Sequence, residues 1–324
     1  MRKYIFPLLG LLLFCSHDMF LKLDTYFLEP NTEATIQLFN GTYDKSENAI
    51  DRSRMRDASL LGNGVRTAVD SAQWSEKDGA TLLHLTTGAP GTWVAGVSIH
   101  PRKIELEAEA FNDYLEHDGV LDMLEQRREG GLLEEDAVEE YSKHVKVLFQ
   151  VGDERTKDWN TPLGYPLEFI PLENPYDLHP GHELAVRLLW EGEPLANQLV
   201  YVGYQSEAHS HGEAADHEHP SEGGETHSHA GIEEHRTDEQ GIIRFTLSEE
   251  GAWYLRTIRM VTTQQEGYTH ISNWATLAFG VGQGHSHDDG GHEHADSDGF
   301  PATVFWIGSL VLLVVLFFWF RRKK

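Results

Sequence analysis

The residues 302–320 contain no charge, and the basic tail 321–324 follows them at once. At about 1.5 Å per residue, a helix of this length spans roughly 28 Å, close to the thickness of a bilayer's hydrocarbon core. Trp306 and Trp319 lie near its two ends, where aromatic residues are common at membrane interfaces. The pattern predicts one C-terminal transmembrane helix, and the positive-inside rule places the tail 321–324 in the cytoplasm.

Residues 1–16 have a basic start, Arg2 and Lys3, and then a short apolar run. This is the pattern of a secretory signal peptide, with cleavage after Cys15 or Ser16. Lipid attachment at Cys15 is the alternative, although large residues precede this cysteine where a lipoprotein signal has small ones. We therefore expect an exported ectodomain held by a single C-terminal membrane anchor.

The charge of the chain is strongly negative, with 26 Lys and Arg against 52 Asp and Glu and a formal net charge of −26. Six of the basic residues lie at the two ends, so the predicted ectodomain is even more acidic. A nucleic-acid partner is excluded, because a phosphate-binding surface needs positive charge. One cysteine cannot form a disulfide within the chain.

Most of the predicted ectodomain consists of short β-rich stretches separated by turn residues. Residues 18–43, 80–86 and 92–100 have this character, and residues 44–76 are polar and predicted to be loop-rich. Further stretches of this kind lie at 183–190, 197–204, 241–247, 252–260 and 274–279. We predict a mainly β protein built from immunoglobulin- or transthyretin-like β-sandwich domains.

A helical insertion is predicted at about 106–150. Phe111 and Leu115 are four residues apart, as are Val120 and Leu124. One helix face would also hold Val138, Tyr141, Val145 and Leu148. The predicted order is a signal peptide (1–16), a β-rich domain (17–162), a second sandwich domain (163–280), a linker (281–300), the membrane helix (302–320) and the tail (321–324).

Two histidine-rich tracts, 207–238 and 284–299, hold eleven of the 19 histidines of the chain. The first tract lies within the second predicted sandwich domain, and the second lies in the linker before the membrane helix. Ten of these histidines form five His-x-His pairs, and carboxylates are interspersed among them. The eleven histidines are His209, His211, His217, His219, His227, His229, His235, His285, His287, His292 and His294.

These side chains predict a site for a divalent transition-metal ion. Neutral imidazole suits Ni, Co and Zn, carboxylates add oxygen ligands, and biased His-rich tracts are typical of metal binding. Residues at i and i+2 in a loop can place both rings on one ion. His17 and Asp18, together with a free α-amine after cleavage, are a further candidate chelating group.

Enzyme motifs are not found: the sequence has no HExxH, no GxSxG and no phosphate-binding loop. We therefore expect a non-catalytic protein that buffers metal ions or delivers them to a transporter. The alternative is a structural or interaction module, for adhesion or carbohydrate binding, whose His-rich loops are incidental.

Several long stretches resemble a known family. They include HDMFLKLDTYFLEP, VAGVSIHPRKIELEAEAFNDYLEHDG and HPGHELAVRLLWEGEPLANQLVYV. The chain is similar here to bacterial exported proteins of the domain of unknown function 4198, often described as nickel- or cobalt-uptake periplasmic proteins. The resemblance implies a β-sandwich with an immunoglobulin-like second half and a histidine near the mature N-terminus, which His17 matches. It also implies a bacterial protein with its ectodomain in the periplasm, so we expect the anchor to lie in the inner membrane. A metal permease or a TonB-dependent receptor is the expected partner.

Overall fold

A computed structural model describes residues 17–206 and 232–282. The chain divides after Gly284 into two units, and all described residues belong to the first. This unit is mainly β. Its first strands are β1 (Asp18–Lys22), β2 (Phe27–Leu28), β3 (Glu33–Gly41), β4 (Met55–Gly62), β5 (Val65–Ala68), β6 (Trp74–Lys77), β7 (Ala80–Thr86), β8 (Gly91–Ile99) and β9 (Arg102–Leu106).

Two helices, α1 (Ala108–His117) and α2 (Leu121–Glu129), follow, and strands then continue to the end of the described chain. These strands are β10 (Ala137–Val151), β11 (Leu167–Pro171), β12 (Glu183–Trp190), β13 (Glu193–Pro194), β14 (Leu199–Ser206), β15 (Glu233–Arg236), β16 (Ile242–Thr246), β17 (Gly251–Thr262) and β18 (His270–Val281). Short 3-10 turns lie at Arg52–Arg54, Ser71–Gln73, Asp158–Asn160 and Pro175–Asp177.

The strands form three sheets. Sheet A has the order β1-β3-β7-β6, and sheet C has β11, β16 and the short β13 all paired with β12. Sheet B has the order β15-β14-β17-β18-β10-β8-β4-β5, with β2 and β9 also paired with β10. Pairing is antiparallel except where β10 runs parallel to β18 and to β2. The mainly β, sandwich-like class predicted from the sequence is thus confirmed in its coarse form.

One hydrophobic core joins the three sheets. It contains Phe20 of sheet A, Phe149 and Phe279 of sheet B, and Phe169 of sheet C, all nearly inaccessible to solvent. Residues on both sides of the predicted boundary between 162 and 163 belong to this core, and strands from both sides share sheet B. The two predicted sandwich domains therefore contribute to a common core.

The predicted helix face at Val138, Tyr141, Val145 and Leu148 is wrong, because these residues lie in the 15-residue strand β10. The strand lies in the middle of sheet B and is buried on both faces. Its Lys143 reaches the backbone of His17, while Lys146, which points to the opposite face, reaches Glu168 of sheet C. A strand covered on both sides has no polar face, so it lacks the alternation that identifies half-buried strands.

The helical insertion itself is present, although it is shorter than predicted. Helix α1 buries Phe111 and Leu115 on the face that their spacing indicates. These side chains form a second, smaller core with Ile258 and Met260 of β17 and Trp274 of β18. The helix pair therefore packs on one end of sheet B, and α2 ends at Glu129, next to Gly130 and Gly131.

The prediction for residues 44–76 is also wrong in part, since β4, β5 and the start of β6 lie there. Strand β5 is exposed along its whole length, so its sequence carries no apolar signal. No helix in the described ranges, 17–206 and 232–282, is long and apolar enough to cross a membrane. The predicted signal peptide, the transmembrane helix at 302–320 and the tail at 321–324 lie outside these ranges.

Candidate functional site

Most of the predicted metal ligands in the two tracts lie outside the described residues. This applies to His209, His211, His217, His219, His227, His229, His285, His287, His292 and His294. His235 is described and lies in β15, an edge strand of sheet B. Its Nε2 lies 3.1 Å from Oε2 of Glu233, so an imidazole and a carboxylate of the first tract are paired.

The points where the two tracts leave the sheet are described. The first begins after Ser206, at the end of β14, and the second begins shortly after Val281, at the end of β18. Ser206 is in register with Gly251 of β17, and Gly251 is in register with Val281. At about 4.8 Å between neighbouring strands, Ser206 and Val281 are roughly 10 Å apart. The described residues that adjoin the two tracts in sequence therefore lie at the same end of sheet B.

His17 and Asp18 have different partners. The imidazole Nε2 of His17 lies 3.1 Å from Oε2 of Glu47. The carboxylate of Asp18, at the start of β1, lies 3.1 Å from Nη1 of Arg256 in β17. Among the described residues, no three His, Cys, Asp or Glu side chains are grouped as a metal centre needs.

A cavity of about 150 Å³ lies beneath His17, and we call it the His17 cavity. Its polar lining consists of His17, Asn40, Arg54, Tyr114, Glu139, Tyr141 and Lys143. Its apolar lining consists of Ile99, Ile104 and Leu106. The cavity forms where the first described residues meet β9, β10 and helix α1, so the helical insertion helps to build it.

Burial shifts the pKa values of two lining residues. Lys143 is 5% exposed, and desolvation lowers the pKa of its amine to about 8. This amine donates a hydrogen bond to the His17 carbonyl and lies 4.5 Å from the centre of the Trp274 ring. Burial also raises the pKa of Glu139 to about 7, while hydrogen bonds from Ser272 and Tyr114 oppose that rise. Near neutral pH, Glu139 therefore carries only part of its negative charge.

Arg54 is the lining residue whose charge has no counter-ion among the described residues. Its Nε and Nη2 are buried and have no hydrogen-bond partner there. The guanidinium lies 5.9 Å from the centre of the Tyr141 ring. A buried cationic fork without a partner is unfavourable unless something binds it.

The sequence reasoning missed the His17 cavity. Its cations and acid, Arg54, Lys143 and Glu139, come from segments predicted as loop or helix. A usable signal was present, because Lys146 lies between Val145 and Val147 in the sequence, and both it and Lys143 are buried in β10. Charged residues inside a fully buried segment have partners or functions.

A second set of polar side chains in the core connects a hydroxyl, an imidazole and an amide oxygen by hydrogen bonds, as many sites of nucleophilic catalysis do. The Ser98 hydroxyl lies 2.9 Å from Nδ1 of His144, and Nε2 of His144 lies 2.9 Å from Oδ1 of Asn273. All three side chains are buried, and Ser98 is 2% exposed. Burial lowers the pKa of His144 to about 4, so the ring is neutral and its bonds hold β8, β10 and β18 together.

These features define a mainly β, sandwich-like protein with a small helical insertion, a polar cavity at His17, and two strand ends at one end of its largest sheet that are close in sequence to the His-rich tracts. The family model described as "Domain of unknown function (DUF4198)" matches residues 15–260. The chain belongs to this family, which confirms the resemblance seen in the sequence. A search among curated proteins gave no match.

Among solved structures, the chain is similar at 9% identity to Escherichia coli alpha-2-macroglobulin, with a TM-score of 0.20 and coverage of 82% of this chain and 14% of that one. A putative membrane-anchored protein from Corynebacterium diphtheriae has 9% identity, a TM-score of 0.21 and coverage of 82% and 59%. The Yersinia pseudotuberculosis adhesin InvE has 10% identity, a TM-score of 0.19 and coverage of 83% and 59%. The chain thus spans a small part of the macroglobulin, and TM-scores this low say nothing about function.

Proposed function

We propose that this chain is an exported, membrane-anchored protein that binds Ni, Co or Zn ions through its two His-rich tracts and buffers them or passes them to a transporter. The immunoglobulin- or transthyretin-type assignment of its sandwich, the signal peptide and the membrane helix at 302–320 are parts of this proposal. The observation that carries it is the register of Ser206, Gly251 and Val281, which gives both tracts attachment points at one end of sheet B.

The surroundings of these attachment points favour cations. The turn before β17 carries Glu249 and Glu250, and both residues are exposed. Position 282, where the second tract approaches, lies against the side chain of Glu250. Carboxylates at this end of the sheet raise the local concentration of divalent cations. Imidazole ligands in the tracts would then supply selectivity for transition metals over Mg and Ca.

The His-x-His pairs explain how loops could bind metal without a preformed pocket. Two imidazoles separated by one residue can turn onto one ion, and a second pair or nearby carboxylates complete the coordination. Ordering a loop costs conformational entropy, so such binding suits buffering and exchange better than permanent retention. A carrier that must release its ion needs this kind of site.

Calorimetry of the full chain in mild detergent, with Ni, Co, Zn and Cu, tests the proposal. In the test variant, glutamine replaces the ten histidines of the five His-x-His pairs. The matched control replaces His179 and His182, an exposed pair whose ring centres lie 5.8 Å apart. We expect the ten-histidine variant to lose most of the bound metal and the control to retain the full stoichiometry.

An unchanged metal stoichiometry in the ten-histidine variant would contradict the assignment of the metal sites. If the unmodified chain binds no metal below about 100 μM, which corresponds to roughly −5.5 kcal/mol, the interaction-module alternative is favoured. Export is tested separately by adding protease to spheroplasts. The protease should digest residues 17–282 and leave a membrane-bound C-terminal fragment.

A further inference from the structure

Arg54, in the lining of the His17 cavity, has two hydrogen-bond donors that no described residue uses. Nε and Nη2 of Arg54 lie on the same side of the guanidinium and together can donate to both oxygens of one carboxylate. Both nitrogens are buried, and neither has a partner among the described residues. The anionic group that would complete this fork is therefore expected from a ligand.

Glu139 and Asp18, the carboxyl groups nearest to the lining, have hydrogen-bond or ion-pair partners, whereas Oδ2 of the buried Asp118, which interacts electrostatically with Lys143, has none among the described residues. Glu139 accepts hydrogen bonds from Tyr114 and Ser272, and Asp18 is paired with Arg256. Lys143, in the same lining as Arg54, donates to a backbone carbonyl. The lining thus holds two cations and one carboxyl group that is bonded elsewhere, which favours an anion over a cation as occupant.

The size and the apolar wall narrow the class of anion. A cavity of about 150 Å³ is far below the roughly 300–1,000 Å³ of sites for drug-sized ligands, so nucleotides, sugar phosphates and peptides do not fit. An apolar cavity of about this volume holds a molecule of the size of benzene. Ile99, Ile104 and Leu106 offer an aliphatic surface next to the cationic groups.

We propose that the His17 cavity binds a small organic carboxylate with a short aliphatic tail. Its two oxygens are held by Nε and Nη2 of Arg54, with Lys143 nearby, and its tail lies against Ile99, Ile104 and Leu106. This site does not depend on the His-rich tracts or on the metal proposal. An inorganic anion such as phosphate matches the cations but leaves the apolar wall uncovered.

Butyrate is the probe, with 1-butanol and inorganic phosphate as comparisons, and the full chain in mild detergent is titrated by calorimetry and by thermal unfolding. Concentrations up to about 10 mM cover dissociation constants of about 1 mM. We expect butyrate to bind and to raise the melting temperature, and 1-butanol and phosphate to have much smaller effects. Binding of phosphate in place of butyrate, or no binding of butyrate, overturns the proposal.

Arg54→Gln is the test variant and Arg56→Gln, which removes an exposed arginine two residues away, is the matched control. Butyrate should bind at least about tenfold more weakly to Arg54→Gln, because a bidentate charged contact is lost, and normally to Arg56→Gln. Since these nitrogens of Arg54 have no partner in the ranges 17–206 and 232–282, its replacement should not lower the melting temperature of the ligand-free protein. Equal affinity in both variants overturns the proposal.

Ile104→Phe provides a test that leaves the charges in place, so the proposal remains testable if Arg54→Gln does not fold. The larger ring fills the part of the cavity assigned to the tail, so butyrate affinity should fall by at least about tenfold. Unchanged affinity in Ile104→Phe contradicts the proposed position of the tail. The ten-histidine variant should retain butyrate binding, which separates this site from the metal proposal.

Discussion

Asp18 and Arg256 form an ion pair with 3.1 Å between Oδ2 and Nη1, and this pair joins β1 of sheet A to β17 of sheet B. The side chains are 19% and 9% exposed, so most of the pair is removed from water. Asp18 is one of the predicted metal ligands, and its carboxylate already has a structural partner. Its contribution to stability can therefore be separated from any contribution to metal binding.

Asp18→Asn should destabilise the protein by about 2–4 kcal/mol, because the change removes the ion-pair partner of the largely buried Arg256 guanidinium. Urea unfolding of the full chain in detergent measures this effect. Asp24→Asn is the control, since Asp24 is exposed and accepts a hydrogen bond from Gln37, and it should cost less than about 1 kcal/mol. A small stability change in Asp18→Asn combined with a lower metal stoichiometry would instead make Asp18 a metal ligand.

Gly119, which connects the two helices, should not tolerate alanine. Its φ of +73° is unfavourable for a residue with a Cβ, and that Cβ would overlap the hydroxyl oxygen of Tyr201. We expect Gly119→Ala to cost about 2–4 kcal/mol from backbone strain and overlap together. The melting temperature and the hydrogen exchange of helices α1 and α2 measure this effect.

Gly131→Ala is the matched control for that prediction. Gly131 also has a positive φ, of +67°, but a Cβ there would meet no atom within 4 Å. Its cost should be limited to backbone strain, about 1–2 kcal/mol. The cost of Gly119→Ala should be smaller in a Tyr201→Ala background, which lacks both the hydroxyl and the ring carbons that the added Cβ overlaps. Equal effects of Gly119→Ala and Gly131→Ala would mean that the contact with Tyr201 is unimportant.

The sequence predicted strands that are covered on one face better than strands covered on both faces or on neither. Strands with one covered face, such as β7 and β12, were placed at their observed bounds because apolar and polar residues alternate or turns enclose them. Strand β10 is covered on both faces, so its apolar residues matched a helical period by coincidence. Strand β5 has neither face covered and gave no signal.

Of the two candidate sites, the sequence predicted the one that depends on neighbours in the chain and not the one that depends on the fold. Local composition identified the His-rich tracts, because a His-x-His pair needs only neighbours in the chain. The His17 cavity combines Arg54, Ile104, Glu139 and Lys143, which come together only when β9 and β10 pair and helix α1 packs against them. No short motif records such an arrangement, since it depends on strand register.

His144 should make stability depend on pH. Burial lowers its pKa to about 4 from the usual 6.5, so between these values the unfolded chain binds more protons, and stability rises with pH through this window. The shift corresponds to about 3 kcal/mol. His270, whose pKa burial also lowers to about 4, acts in the same direction, while the raised pKa of Glu139 acts in the opposite one.

A comparison between variants isolates the contribution of His144. His144→Gln removes the titrating group, so the stability of the unmodified protein relative to this variant should fall by about 3 kcal/mol from pH 6.5 to pH 4. Urea unfolding at several pH values measures the difference. His100→Gln replaces an exposed histidine and should show no such trend. A difference that stays constant with pH would show that the ring of His144 titrates equally in both states.

Metal binding by the tracts should weaken steeply in acid, and the steepness reports how many imidazoles hold each ion. An ordinary imidazole with a pKa near 6.5 is about 90% neutral at pH 7.5 and about 10% neutral at pH 5.5. An ion held by both rings of a His-x-His pair needs both to be neutral, so its apparent affinity should fall roughly 100-fold between these pH values. Titrations with Ni and Zn at the two pH values measure this ratio of affinities.

The variant with glutamine at the ten paired histidines is the control for this prediction. It should retain only weak metal binding that changes little between pH 5.5 and 7.5, because carboxylates stay ionised throughout this range. A fall of about tenfold in the unmodified protein would mean one imidazole per ion, and the pairs would then not act as chelating units.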